Sequence, residues 1–368
     1  MIRARLARFL FGRTPVATIV FVLLGLIAAE ALLQARSHWR FGRSVFNVVW
    51  AEPTRVPHPE LSFATFRPNA TIDGSQAAIV TNSLGLRSPE IPRAKPPERV
   101  RLAFLGASTI FGAYARTNER RMSDLVAAGW SSRLDGREVD FVNAAFPGLG
   151  LAQQAELLDR FVLPWQPDVV VLYPGTNDFH RFCARTEPTT ASAPARALPA
   201  PTPPSWLLSI ELVRKNTAAL RETPLPEAAP PPPSFAALPE LQDHLAAMIE
   251  EIRAAGAVPL VVTLTRAFRP DQPVAAQREH GRTFLYSYPC FTLDQAHRLY
   301  DVFNDVLRAT AAELDAPLLD LAARFPGDPS LFADATHFNY RGEQRFAELV
   351  LAALARPPLR ALAAAPPP

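Results

Sequence analysis

Cysteine, glycine and net charge are all scarce in this chain. Two cysteines among 368 residues cannot form a disulfide scaffold or a four-cysteine zinc site. The 38 basic and 35 acidic residues leave a formal charge of +3, too small at this length to indicate a nucleic-acid-binding protein. A disordered chain is excluded too, because 48% of the residues are hydrophobic. The His-Glu-x-x-His motif is missing, as is the glycine spacing of nucleotide-binding loops, so we expect no metal and no cofactor. The Gly-x-Ser-x-Gly nucleophile elbow is missing too, which argues against an α/β-hydrolase.

Proline, in contrast, is abundant and clustered. Of 38 prolines, twelve lie between residues 188 and 233 and five between residues 357 and 368. Proline lacks an N–H donor and has a fixed φ, so neither stretch forms a helix interior or a central strand. We predict an extended surface insertion over residues 187–234, interrupted by the apolar piece Trp206–Val213, and a disordered tail over residues 356–368.

The N-terminus combines basic residues with a long apolar run. The basic residues are Arg3, Arg5, Arg8 and Arg13. The uncharged run Thr14–Ala29 follows them. Arginines ahead of such a run place the N-terminus in the cytoplasm, so residues 1–35 are predicted to be a single-pass anchor in a bacterial-type inner membrane, with the rest outside. The alternatives are a secreted protein whose signal peptide is cleaved, with Ala29-Glu30-Ala31 as the candidate site, and a buried helix of the main domain.

From residue 100 onward, short apolar runs alternate with helical patterns. The strand-like runs are Val100–Leu105, Val139–Val142, Asp168–Tyr173, Val258–Leu264 and Pro317–Leu321, and the helical patterns are Gln153–Phe161, Leu238–Ala255, Asp294–Leu314 and Arg341–Ala355. Near-continuous apolar runs are typical of strands buried on both faces. Residues 100–355 are therefore predicted to form a flavodoxin-like, three-layer α/β sandwich with a mostly parallel, about five-stranded sheet. Residues 36–99 are predicted to be a leader segment that packs on this domain.

Four clusters of small and polar residues occur where parallel α/β folds bind ligands, three after strands and one before the last helix. They are Gly106-Ala107-Ser108-Thr109, Asn143-Ala144-Ala145-Phe146-Pro147-Gly148, Gly175-Thr176-Asn177-Asp178 and Asp334-Ala335-Thr336-His337. Together they contain the parts of an acyl-transfer site. Ser108 is the candidate nucleophile, His337 its base, and Asp334 the residue that orients the imidazole. The backbone N–H groups of Ser108 and Gly148 and the Asn177 amide are candidate oxyanion donors.

In this order, the clusters resemble the conserved blocks of the SGNH (GDSL-type) hydrolase superfamily, and the chain looks like a divergent branch with an N-terminal membrane segment. Block I of that family carries the nucleophilic serine, which matches Ser108. Block II carries an oxyanion glycine, which matches Gly148. Block III, Gly-x-Asn-Asp, makes Asn177 the oxyanion asparagine. Block V, Asp-x-x-His, assigns Asp334 and His337 to the catalytic triad.

Ala107 departs from the family pattern, because block I usually reads Gly-Asp-Ser, although that aspartate is not a triad member. The resemblance implies a serine esterase or O-acyltransferase that acts through a Ser108 acyl-enzyme on ester groups, chiefly O-acetyl groups, of a carbohydrate or lipid. Fold alone does not secure function. One alternative is a catalytically inactive, membrane-tethered glycan-binding or assembly protein on the same fold, and another is an intracellular thioesterase.

Two further expectations concern the edge of the site. Cys183 follows block III, and Cys290 lies in the aromatic segment FLYSYPCF. Outside the cytoplasm two such cysteines either pair or remain free thiols, and the sequence leaves both possibilities open. The segments Phe179–Ser234 and Arg266–Phe291 are predicted to form a cap over the pocket.

Overall fold

The computed structural model describes residues 15–41, 54–72, 74, 76–134, 137–183, 207–210, 212–213, 231–325 and 327–364. The chain divides into two compact units, residues 1–53 with 187–227 and residues 54–186 with 228–368. The described part of the first unit consists of helix α1, Pro15–Phe41, and residues 207–213 without 211. Within α1, Ala17–Arg36 is long and apolar enough to cross a membrane, with a mean hydropathy of 2.1. The N-terminal arginines and most of the proline-rich insertion lie outside the described residues.

The second unit begins with two small antiparallel strand pairs. The strands are β1 Arg55–Pro57, β2 Ala64–Phe66, β3 Thr71–Ile72 and β4 Ile79–Val80, with β1 paired to β2 and β3 to β4. Phe66 of β2 stacks on Phe111 and Phe146, with ring centroids 5.3 and 5.9 Å apart. The leader segment thus shares its hydrophobic core with the residues that surround the predicted site.

A five-stranded parallel sheet forms the centre of this unit. Its strands are β5 Val100–Gly106, β6 Val139–Ala145, β7 Val169–Tyr173, β8 Val258–Val262 and β9 Leu318–Leu319. They lie in the order β6-β5-β7-β8-β9, and each neighbouring pair is parallel. Every residue of β5 and β7 is buried, as expected of strands covered on both faces. The predicted fold class is confirmed.

Helices cover both faces of the sheet. The α-helices of the second unit are α2 Ser108–Phe111, α3 Met122–Ser131, α4 Leu151–Leu157, α5 Leu238–Ala254, α6 Val274–His280, α7 Arg282–Ser287, α8 Leu293–Glu313, α9 Leu321–Arg324, α10 Tyr340–Leu354 and α11 Leu359–Ala364. Helix α3 packs against α10, and α5 packs against α4 and α8. Because the chain moves in opposite directions from β5 to β6 and from β6 to β7, right-handed crossovers place these two groups on opposite faces.

Four helices match the sequence prediction to within a few residues, whereas α3, α6 and α7 were not anticipated. The tail also differs from expectation. The sequence predicts disorder over residues 356–368, but Leu359–Ala364 forms helix α11 and Leu359 is buried. The physical reason is that the apolar Leu359 side chain has a place in the core, which a proline-based argument does not detect.

Candidate active site

Ser108 lies at the carboxyl end of strand β5, which is paired with β6 on one side and β7 on the other. The strand ends at Gly106, and Ser108 is the first residue of the short helix α2. Glycine is needed at position 106 because the backbone passes close to the neighbouring strand β7, and a Cβ there would lie 2.5 Å from the carbonyl oxygen of Tyr173. As the first helical residue, Ser108 also has an N–H group with no acceptor inside its own helix. Both the hydroxyl and this N–H are therefore available at the edge of the sheet.

The structure brings Ser108, His337 and Asp334 together in one hydrogen-bonded chain. The Oγ of Ser108 lies 2.7 Å from Nε2 of His337, and Nδ1 of His337 lies 2.7 Å from Oδ2 of Asp334. With Nδ1–H donating to the carboxylate, Nε2 is the ring nitrogen that accepts from the serine hydroxyl. Ser108 and His337 lie 229 positions apart in the chain.

Asp334 is held in its ionised form. Burial by itself favours the neutral acid and raises the pKa of Asp334. The hydrogen bond from the His337 side chain, the charge of His337, and the hydrogen bonds from the backbone N–H groups of Thr336 and His337 outweigh burial. Together they lower the pKa of Asp334 to about 2. Both of those N–H groups lie 2.9 Å from Oδ1. A further backbone bond, from Ala333 N–H to the His337 carbonyl at 2.8 Å, closes the loop. Neither triad candidate caps the following helix, because Asn339 does so.

Of the candidate oxyanion donors, Asn177 lines the cavity over Ser108 and Gly148 does not. Asn177 begins the 3₁₀ helix Asn177–Phe182 after β7 and lines the same cavity as Ser108 and His337. One N–H of its amide donates to the Leu149 carbonyl at 2.9 Å, which fixes the orientation of the side chain. Gly148, directly before Leu149, has a φ of 95° but does not line the cavity. A Cβ at Gly148 would meet nothing within 4 Å, so the positive φ rather than crowding is what favours glycine there.

The cavity over Ser108 is small and partly roofed by the segment after β8. Its volume is about 130 Å³. One wall contains Thr283, Phe284, Ser287 and Tyr288, which belong to α7 and its C-terminal end. This wall lies within the predicted cap segment at residues 266–291. The other predicted cap segment, the proline-rich insertion, falls largely outside the described residues.

The sequence of residues 104–345 matches the family model of the GDSL-like lipase/acylhydrolase family, about two thirds of the chain. The chain belongs to this family. The predicted resemblance is thereby confirmed, and membership supports an ester hydrolase. No curated protein matches the sequence.

Solved structures similar to this GDSL-family protein include the lipase/acylhydrolase from Enterococcus faecalis, at 17% identity and a TM-score of 0.42, covering 69% of this chain and 95% of that one. The acetylxylan esterase Axe2 from Geobacillus stearothermophilus is similar at 14% identity and a TM-score of 0.43, covering 70% of this chain and 94% of that one. The acetyl xylan esterase AlAXEase is 14% identical, with a TM-score of 0.42 and coverage of 69% and 100%.

Two contacts join the cap wall of this GDSL-family protein to the loop that carries Asn177. Cys183 and Cys290 form a disulfide, with Cα atoms 5.8 Å apart, which resolves the alternative that the sequence left open. The hydroxyl of Tyr288 donates to the Thr176 carbonyl at 2.6 Å. Because Thr176 precedes Asn177, the cap wall and the oxyanion candidate are held to one another at two points.

Two polar residues of the four clusters, Asn143 and Asp178, support the site without lining the cavity. The buried Asn143 donates to the carbonyl of Ile110 at 2.9 Å and so fastens β6 to the helix that begins with Ser108. The buried Asp178 accepts from the N–H of Leu151 at 2.8 Å. Burial raises the pKa of Asp178, although this hydrogen bond opposes the rise. Both side chains act on the geometry of neighbouring loops.

Tyr114 was missed by the sequence interpretation. Its ring lies 5.5 Å from the imidazole of His337, between centroids. Burial, followed by the charge of Asp334 and the polar interaction of the Tyr114 hydroxyl with that carboxylate, raises the pKa of Tyr114 to about 12. No pattern in the sequence signals this role, because Tyr114 follows the nucleophile helix and reaches residues more than 200 positions later.

Proposed function

We propose that this GDSL-family protein is a membrane-anchored serine esterase or O-acyltransferase that acts on O-acyl groups, chiefly O-acetyl groups, of a carbohydrate or lipid. The observation that carries the proposal is the hydrogen-bonded chain from Ser108 through His337 to Asp334, with 2.7 Å at each link. A nucleophile, a base and an orienting carboxylate in this geometry are what acyl transfer needs. An inactive binding protein on the same fold would not need the three groups aligned.

In the proposed reaction, Oγ of Ser108 bonds to the acyl carbon while Nε2 of His337 accepts the hydroxyl proton. The N–H group of Ser108 and the Asn177 amide, which both line the cavity, donate to the oxyanion, whereas the third predicted donor, Gly148, does not line it. The bond between the acyl carbon and the leaving oxygen then breaks, and His337 returns the proton to that oxygen, which releases the alcohol. Asp334, whose pKa of about 2 keeps it ionised, stabilises the imidazolium.

The acyl-enzyme is resolved by a second acceptor. Water, deprotonated by His337, attacks the acyl carbon and releases the carboxylic acid, and Ser108 recovers its proton. A sugar hydroxyl that attacks in place of water gives an acyltransferase. Assays with an acetyl ester in the presence and absence of an oligosaccharide acceptor distinguish the two, because only transfer yields a new acetylated sugar.

The size of the cavity supports a short acyl group. The cavity over Ser108 has a volume of about 130 Å³. A cavity of this size favours a short acyl group such as acetyl over a long fatty acyl chain. We therefore expect activity to fall steeply from p-nitrophenyl acetate to the butyrate and octanoate esters.

Three observations support an anchored protein with its hydrolase domain outside the cytoplasm. The arginines precede the apolar run, Ala17–Arg36 is long enough to span a bilayer, and the disulfide between Cys183 and Cys290 suits an oxidising compartment. Retention of the mature chain in carbonate-washed membranes, with an intact mass that includes α1, is the expected result. A soluble chain that begins after residue 31 would indicate a cleaved signal peptide instead.

The deciding experiment compares wild type with Ser108→Ala and with Ser132→Ala, an exposed serine in the turn after α3. We expect Ser108→Ala to lose labelling by a fluorophosphonate and to lose at least a thousandfold in hydrolysis of p-nitrophenyl acetate. Ser132→Ala should retain both. Equal labelling of wild type and Ser108→Ala would contradict the assignment of the nucleophile.

A further inference from the structure

Glu30 is an acidic residue inside the apolar segment of α1. It lies 13 residues after Ala17, the start of the candidate span, which is about 20 Å along a helix with a rise of 1.5 Å per residue. In a hydrocarbon core of about 30 Å, this position is in the outer third. A charged side chain at such a depth is costly and needs partners that replace water.

The partners of Glu30 come from the proline-rich insertion. Its Oε1 accepts from the N–H of Leu208, and its Oε2 from the N–H of Ser209, at 2.9 Å each. The Gln34 side chain donates to Oε1 at 2.7 Å. Leu208 lies 178 residues after Glu30, so the chain returns to α1 from the middle of the hydrolase sequence. Both carboxylate oxygens thus have donors, and two backbone N–H groups of the returning segment have acceptors.

The returning segment presents apolar side chains outward. Ile210, Leu212 and Val213 are all exposed, and Leu212 is 45% exposed. The neighbouring helix α1 has the same kind of surface, with Ile27 and Leu32 exposed. Exposure of these apolar side chains to water is unfavourable, whereas lipid acyl chains cover them without this cost. In the sequence, Arg214 and Lys215 follow at once, as is common where a segment leaves the acyl region for the headgroups.

We propose that residues 207–210 and 212–213 belong to a second membrane-contacting element, which packs on α1 at Glu30 and places Ile210, Leu212 and Val213 among the acyl chains of the outer leaflet. This inference rests on the membrane placement in the proposed function. It also gives α1 a role beyond targeting, because cleavage at Ala29-Glu30-Ala31 would remove the residue on which the segment docks. The chain is then tied to the bilayer before the cluster that contains Ser108 and again after the cluster that contains Asn177, which suits a substrate carried at the membrane surface.

Cysteine accessibility in the full-length protein tests the contact. Leu212→Cys is compared with Val80→Cys, a side chain of the second unit with nearly the same exposure, 49% against 45%. Each variant is placed in lipid nanodiscs, which expose both faces, and treated with a membrane-impermeant maleimide. The native cysteines are paired and do not react. We expect Leu212→Cys to react at least tenfold more slowly than Val80→Cys, and both to react fully once denatured. Equal rates in nanodiscs would overturn the inference.

Glu30→Leu tests the docking residue. It keeps α1 apolar but removes both acceptors, so the N–H groups of Leu208 and Ser209 lose their partners and the segment is expected to leave the lipid. Labelling of Leu212→Cys in the Glu30→Leu background should then approach the Val80→Cys rate. Protection that survives Glu30→Leu would overturn docking at Glu30. The intact mass of each sample separates these outcomes from failure of the anchor itself, since a chain without α1 contradicts the membrane placement and leaves the esterase assignment standing.

Discussion

The ring of Tyr114 lies 5.5 Å from the imidazole of His337, between centroids, and the hydroxyl of the same tyrosine interacts with the carboxylate of Asp334. Tyr114 thus adjoins both the candidate base and the carboxylate that orients it. It does not line the cavity, so it acts by positioning the carboxylate that orients the imidazole.

Tyr114→Phe should lower kcat about three- to tenfold with little change in KM, because the ring remains while the polar interaction of its hydroxyl with Asp334 is lost. Tyr286→Phe, which alters an exposed hydroxyl on α7, is the matched control. Since Asp334 is ionised above about pH 2 and Tyr114 is neutral below about pH 12, the ratio of wild-type to variant rates should be constant from pH 5 to 10. A ratio that changes steeply near pH 10 would mean that Tyr114 titrates during catalysis and is not a positioning residue.

Asn177→Ala should reduce kcat by about 10²–10³ and leave KM nearly unchanged, since an oxyanion donor acts mainly in the transition state. Steady-state kinetics on p-nitrophenyl acetate measure both constants. The amide also donates to the Leu149 carbonyl, so the melting temperature must be recorded in parallel. A loss of activity that merely follows a loss of folded protein would argue against a role at the oxyanion.

Glu343→Gln should stabilise the protein at alkaline pH. Glu343 is buried beside Gly112, behind the nucleophile helix; burial raises its pKa to about 8, although Arg87 and Arg121 oppose the rise. The folded protein therefore binds this proton more tightly than the unfolded chain. The stabilising contribution is complete below the ordinary glutamate pKa of about 4.3 and is lost as the pH rises towards 8.

Glutamine is neutral at every pH, so thermal unfolding of wild type and Glu343→Gln should agree at pH 4 and diverge at pH 9, with the variant more stable by roughly 2–4 kcal/mol at pH 9. Glu348→Gln, an exposed change on the same helix, controls for altered net charge. A constant difference across this range would show that Glu343 is ionised in the folded protein throughout.

Replacing both Cys183 and Cys290 by alanine should cost about 2–4 kcal/mol of stability, because the disulfide joins residues 107 positions apart. The cap wall at Thr283–Tyr288 would keep its Tyr288 contact with Thr176 but gain freedom, so KM for small esters should rise more than kcat falls. Chemical reduction of wild type should reproduce both effects and leave the double variant unchanged. An unaltered KM in the double variant would show that the disulfide does not shape the pocket.

Local chemistry explains why much of the fold and site could be predicted. Apolar runs such as Val169–Tyr173 signal buried parallel strands, and the carboxyl ends of such strands meet at one edge. This placed Ser108 and Asn177 in advance as neighbours, and the structure brings them to one cavity with His337. Gly148 was predicted on the same basis to be an oxyanion donor, but in the structure it does not line the cavity.

The sequence by itself determined three features, because each depends on neighbouring residues. They are the succession of strands and helices along the chain, the small residues at the strand ends, and the apolar segment after the N-terminal arginines. Only the tertiary structure decided that Cys183 pairs with Cys290, that Tyr114 reaches Asp334 and that Glu30 accepts from Leu208 and Ser209. These contacts join residues from 107 to 220 positions apart. Such pairs meet only after the sheet and helices have packed, so no local periodicity or motif encodes them.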